Sequence, residues 1–206
     1  MDLCYLPDDG VRIMLTGAAR SGKSTMAEMI AEQIPQTRVI AFADELKILS
    51  ADFVNTAMEN MGVRNWKPID VSSIDSINKR RELLRVLWQW FGTDLVRSHE
   101  EGFWIEQLAL SLNYQQPKNI VVSDCRFSNE HIWGRRNGFI TVRIVRDKNE
   151  RVPDHESERM WSTFQCDIEY ENNKSLEEMH YWIFDILVPR ARDWSKTFSS
   201  MSREIK

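Results

Sequence analysis

Gly17-Ala18-Ala19-Arg20-Ser21-Gly22-Lys23-Ser24 is the stretch whose reading decides the fold. Its spacing is G-x-x-x-x-G-K-[ST], the pattern of a phosphate-binding loop. The flanks agree with that reading. Val11–Thr16 is apolar and β-prone and reads as a buried strand running into the loop. Ser24–Gln33 reads as a helix leaving it, with Met26, Met29, Ile30 and Ile34 on one face. Glycines let the backbone curl so that its N–H groups face phosphate oxygens, and the helix N-terminus adds partial positive charge. Lys23 is expected to reach the β- and γ-phosphates, and the Ser24 hydroxyl to hold Mg²⁺. Ser21 and Gly22 belong to the same loop. A nucleoside triphosphate site follows.

Working outward, strands alternate with helices. Arg38–Phe42 reads as a second strand and Asp44 as the N-cap of a helix to about Asn60. Residues 62–78 contain Pro68 and several serines and read as a loop. Lys79–Phe91 is apolar nearly all round, which predicts a mostly buried helix, broken at Gly92. On it Arg85 and Gln89 stand four residues apart and share one face. Phe103–Asn113 is another helix. Asn119–Ser123 is a buried strand ending in Asp124. Ser128–Asn137 is a helix stopped by Asn137-Gly138, and Phe139–Val145 is a strand. Cys166–Tyr170 reads as a last short strand, and Ser175-Leu176-Glu177-Glu178 as a capping box opening the final helix. The expected fold is α/β in three layers, with a mainly parallel sheet between helices and a small mobile lid. One domain over 1–206 is expected, with the lid at about 147–160 and a polar, frayed tail at about 195–206.

Composition narrows the function. A net charge of −4 and 42% apolar residues describe an ordinary globular chain with no general attraction to nucleic acid or acidic membranes. Three scattered cysteines without metal-ligand spacing suggest a reducing compartment, and no apolar run is long enough to span a bilayer. A cytoplasmic location is expected.

Asp124 follows an apolar strand, where P-loop proteins place a second magnesium-related carboxylate. Arg126 stands two residues on and can grip phosphate in bidentate fashion. Arg20 lies inside the loop, close to whatever accepts the phosphate. Lys47, by spacing alone, reads as a surface lysine. Arg85 and Gln89 fit a ligand cleft and a buried structural bridge equally. Several arginines at one sheet edge suit two polyphosphate-type anions, and no Ser-His-Asp arrangement is present. A phosphate acceptor is already ionised and needs no general base.

With these pieces in hand, the chain resembles the bacteriophage deoxynucleoside monophosphate kinase family. The matching segments are Gly17–Thr25, Phe42–Lys47, Arg85-x-x-x-Gln89-x-x-Gly92-Thr93-Asp94-Leu95, Trp104, Ser123–Glu130 and Asp154–Glu158. The resemblance implies a P-loop kinase fold, ATP, Mg²⁺ and phosphorylation of a dNMP to a dNDP. It implies that Arg20, Leu46, Lys47, Arg85, Gln89, Gly92 and Trp104 surround the acceptor. Ser21–Thr25, Asp124, Arg126 and Glu130 would lie on the ATP and metal side. Family members are commonly dimeric. The stretch between residues 60 and 80 is compact where relatives carry insertions, which leaves base preference open. Two other functions fit the loop. One is a kinase acting on a modified base in DNA or a small-molecule alcohol. The other is a low-turnover nucleotide-dependent switch.

Overall fold

The computed structural model describes residues 2–3, 9–147 and 160–204. The expected lid, with His155, lies outside them apart from its ends Asp147 and Met160. The described chain divides into two compact units, one of Met1–Ala41 with Ala109–Lys206 and one of Phe42–Leu108.

The first unit is a parallel sheet with helices around it. Its strands are β1 (Arg12–Thr16), β2 (Thr37–Ile40), β3 (Asn119–Cys125), β4 (Ile140–Val145) and β5 (Ile168–Glu171), in the order β2-β3-β1-β4-β5. Every pairing is parallel. The continuous apolar runs read in the sequence are those of strands covered on both faces. Ile13 and Leu15 are fully buried on β1, as are Val121 on β3 and Val142 on β4. Each such side chain contributes about 1.5–3 kcal/mol through burial. Met26, Ala27 and Ile30 of helix α1 (Lys23–Gln33) close over this core, together with Met179, Ile183 and Leu187.

Within the expected frayed tail, residues 195–204 are instead helical. After α7 (Leu176–Trp182) the chain makes a wide π turn over Ile183–Leu187 and continues as a helix over Val188–Glu204. Pro189 explains the wide turn. It has no N–H for the α-helical ladder and its ring crowds the preceding turn, so the backbone opens just before it. Arg12 anchors this helix from within the sheet. It is fully buried, donates to the Ser195 carbonyl at 3.4 Å and lies 5.5 Å from the centroid of the Phe198 ring.

In the second unit, α2 (Ala43–Asn60), α3 (Ile74–Asn78) and α4 (Arg81–Gln89) enclose a small core of Ala51, Ile69, Ile77 and Leu84. Three expectations are corrected here. Residues 62–78 are not all loop: Ser73 caps α3 by accepting from the Ser76 N–H, and Ile77 is buried. Asn55 ties the preceding segment down, accepting from Ile69 N–H and Trp66 Nε1 and donating to Ile69 O. Asp44 is not the cap of α2; it lies in the first turn, where its charge still suits the helix dipole. The helix starting near residue 80 is not mostly buried. Leu84 is enclosed, but Leu83, Val86 and Trp90 are exposed, Val86 to 74%. The periodicity showed apolar residues on every face without showing how many faces would be covered.

His131, on helix α6 (Ser128–Arg136), stacks on Phe164 with ring centroids 4.9 Å apart. Burial, and next the charge of Arg135, push its pKa below the ordinary 6.5. The unfolded chain therefore binds this proton more readily, and stability is lost as pH falls below 6.5. His131→Phe is expected to flatten the fall in urea-unfolding stability between the parent's value at pH 7 and that at about pH 5; an unchanged pH slope in the variant would exclude this origin.

Candidate active site

The phosphate loop leaves the C-terminal end of β1, in the middle of the sheet, and passes directly into α1. Its shape depends on three left-handed residues, Gly17, Arg20 and Gly22, with φ of 139°, 64° and 109°. Gly17 is required twice over: its φ is one that side chains rarely adopt, and a Cβ there would overlap the Ile144 carbonyl oxygen of β4. Arg20 takes its left-handed conformation without being glycine, and its side chain is exposed. Ser21 is fully buried under the loop with its hydroxyl unpaired. Ser24 is exposed at the start of α1, beside half-buried Thr25.

Lys23 is placed differently from a free surface lysine. Its Nζ donates to the carbonyls of Gly17 and Ala18, at 2.8 and 2.7 Å, folding the side chain back across the loop. The ammonium thus sits over the cradle, satisfied by the loop's own backbone.

The neighbouring strand β3 brings the second group of residues. Thr16 Oγ1 donates to the Cys125 carbonyl at 2.8 Å, tying the end of β1 to the end of β3. The register between these strands shifts after Met14, so that Thr16 stands opposite Cys125. Asp124 and Arg126 flank that tie, the first half-buried and the second exposed. Glu130 is only 2% exposed, and its Oε2 accepts from the backbone N–H groups of Arg126 and Phe127, at 2.8 and 3.1 Å. Its carboxylate therefore shapes the turn that carries Arg126. Sequence reading missed Thr16, because a strand-end threonine is common and its partner lies 109 residues away.

Within Phe42–Leu108, three of the acceptor candidates come together. Gly92 does not break the helix; α4 runs on into a π-helical segment, Trp90–Arg97, that contains it. The missing Cβ serves close packing instead, since one at Gly92 would overlap the Leu46 side chain. Trp104, on helix α5 (Phe103–Gln115) and 2% exposed, donates from Nε1 to the Gly92 carbonyl at 3.0 Å. Leu46 and Trp104 thus hold Gly92 from two sides, and both have little surface left for a ligand. Lys47 is ion-paired with Asp44 at 3.1 Å, its side chain 18% exposed. Arg85 is exposed and Gln89 half-buried.

Hard oxygen donors, the Ser24 hydroxyl and the Asp124 carboxylate, are what a magnesium ion prefers, with nucleotide phosphates supplying further oxygens. Among the described residues no cluster of three or more His, Cys, Asp or Glu side chains could hold a metal alone. No helix among them is long and apolar enough to cross a membrane.

A model of deoxynucleotide monophosphate kinases matches residues 53–183, more than half of the chain. The chain belongs to that family. This deoxynucleotide monophosphate kinase family member is accordingly a nucleotide kinase, a phosphotransferase acting on nucleotides. Its match spans Arg85–Leu95, Trp104 and Ser123–Glu130, while the phosphate loop lies upstream of it. No curated protein matches the sequence. Among solved structures, the Mycobacterium tuberculosis APS kinase CysC, as a cysteine-to-alanine mutant, is similar with a TM-score of 0.39 and 14% identity, over 88% of this chain and 99% of that one. So loose a likeness carries no functional argument, and the fold rests on the sheet itself.

The loop geometry makes a sharp comparison of two glycines possible. Gly17→Ala is expected to cost more than about 2 kcal/mol, because a backbone carbonyl blocks the new methyl group and the φ is unfavourable. Gly62→Ala, also at positive φ but with open space around it, should cost only about 1 kcal/mol. Thermal melts of the two variants check the order; equal losses would mean that the Ile144 carbonyl does not constrain the loop.

Proposed function

We propose that this kinase transfers the γ-phosphate of ATP to a deoxynucleoside monophosphate, giving the diphosphate, and that it supplies DNA precursors during phage infection. The observation that carries the reading is the phosphate loop at the end of β1, with Lys23 folded over it, Asp124 on the strand beside it and Arg126 just beyond that strand. Family membership supports the choice of a nucleotide as acceptor.

Ser21–Thr25 and the α1 N-terminus would take the triphosphate. Lys23 would exchange the Gly17 and Ala18 carbonyls for β- and γ-phosphate oxygens, moving its charge to where negative charge accumulates during transfer. That exchange leaves two carbonyls to rehydrate or turn away. Arg126, presented on the Glu130-capped turn, is suited to a bidentate grip on phosphate. Arg20 would contact the incoming acceptor phosphate. Ser24 and Asp124 would hold Mg²⁺, whose contribution when bound is to neutralise phosphate charge. The acceptor oxygen is ionised at neutral pH, so alignment and charge neutralisation suffice.

On the acceptor side, Arg85 would bind phosphate and Gln89 a base edge. Lys47 is held ready by Asp44, while Leu46 and Trp104 keep Gly92 in place. A glutamine amide offers one acceptor and two donors, so it can discriminate between bases.

Lys23→Ala is expected to melt within a few degrees of the parent and to lose at least a hundredfold in kcat; a variant of parental turnover would refute the loop assignment. Arg126→Lys should be nearly as impaired as Arg126→Ala, since geometry and not charge alone is at stake. Close to full activity in the lysine variant would reduce Arg126 to a general electrostatic role.

Gln89→Ala should reorder dGMP, dTMP and dCMP as acceptors, by about 1–3 kcal/mol in relative kcat/KM, while KM for ATP stays put. Arg85→Ala should weaken all three alike, because each carries the same phosphate. An unchanged ranking in Gln89→Ala with a lowered Tm would assign Gln89 to structure alone.

A further inference from the structure

Asn172 is the first residue beyond β5 and belongs to no segment of the phosphate-loop motif. It is only 8% exposed. Its backbone N–H donates to the Val145 carbonyl at 2.7 Å, prolonging the β4–β5 ladder by one residue. The sheet therefore fixes where its side chain starts. From there Nδ2 donates to the Ser21 carbonyl at 2.8 Å, a buried contact between residues 151 apart in sequence. A Cβ on Gly22 would overlap this same Nδ2, so the second glycine of the loop makes room for the asparagine.

The peptide between Ser21 and Gly22 is trans. In a trans peptide the C=O and the following N–H point in opposite directions. Holding the Ser21 carbonyl toward Asn172 therefore turns the Gly22 N–H away from it. That N–H belongs to the group of loop donors that a phosphate would meet. Without a partner, the carbonyl would be a buried acceptor free to seek another, and the peptide plane could rotate.

We propose that Asn172 is a positioning residue for the donor nucleotide: it clamps the Ser21–Gly22 peptide so that the Gly22 N–H is presented to phosphate. The inference rests on reading Gly17–Ser24 as the donor-phosphate loop. It adds a residue from the far end of the sheet, one that loop spacing does not reveal. The neighbour Asn173 acts elsewhere. It donates from Nδ2 to Asp147 Oδ2 at 2.7 Å and accepts from the Asp147 N–H at 3.0 Å, clipping the same turn to the end of β4. Asn173 thus provides a control that loosens the turn without touching the loop.

The test uses the full chain with ADP and Mg²⁺ in isothermal titration calorimetry, followed by steady-state kinetics and thermal melts. Asn172→Ala should weaken ADP binding about three- to tenfold, the range expected for one buried hydrogen bond. Asn172→Asp has nearly the same shape but sets a carboxylate against the Ser21 carbonyl, so it should bind ADP more weakly still. In both, KM for ATP should rise while KM for the acceptor stays at the parental value. Asn173→Ala should keep parental ADP affinity. ADP affinities in both Asn172 variants equal to that of a parent that binds ADP would overturn the proposal and leave the loop reading intact. So would equal losses in Asn172→Ala and Asn173→Ala, or a rise in both KM values together, because these indicate a structural role only. A parent chain that binds no ADP would overturn the loop reading, and this proposal with it.

Discussion

The parallel ladder that holds β1 between β3 and β4 is the constraint on which the first unit depends. Both edges of β1 are paired, so the chain can leave only over the C-terminal end of the sheet. There the Ile144 carbonyl of β4 and the Thr16–Cys125 bond to β3 define the space in which the loop must turn. Only a residue without a Cβ can begin that turn. The apolar residues of β1 are what keep the ladder in place, since slipping it by one residue would exchange the faces that Ile13 and Met14 present to the helices.

The same sheet edge gathers the chemistry. Successive parallel strands end side by side, so residues far apart in sequence become neighbours without any long side chain reaching across. Thr16, Asp124 and Asn172 all sit at such ends. The Thr16 hydroxyl ties two strands, the Asp124 carboxylate suits a hard cation, and the Asn172 amide holds a loop carbonyl. The buried arginine of β1, Arg12, shows the cost side of a crowded sheet. It is a charged group at an interior position, accommodated by the Ser195 carbonyl and the Phe198 ring on the final helix.

In the second unit the organising contact is smaller. Gly92 lets Leu46 pack against the backbone, and the Trp104 indole ties down the Gly92 carbonyl. Burying an indole N–H without a partner would cost about 1–3 kcal/mol, so the bond holds both the tryptophan and the π-helical segment in register. Arg85 and Gln89 stand on the helix that leads into this arrangement, and Asp44 restrains Lys47 on α2.

The sequence by itself determined the phosphate loop, the alternation of strands and helices, and the Asn137-Gly138 stop, where Gly138 does adopt the left-handed φ of 72°. These features are local: glycine conformations, apolar runs and capping residues act over a few positions. It did not reveal that α4 leaves Leu83 and Val86 open, and the segment after it Trp90, because periodicity records composition around a helix and not what packs against it. It read Gly92 as a break, although the close approach of Leu46, from the preceding long helix, takes up the space of the missing Cβ. It took the end of the chain for a frayed tail, although Arg12 and the core beneath draw it into a helix. The Thr16 bond to the Cys125 carbonyl and the Asn172 bond to the Ser21 carbonyl, between residues 109 and 151 apart in sequence, were decided by tertiary structure alone. Each depends on where a hydrogen-bonding partner is brought by the sheet, and spacing along the chain carries no record of that distance.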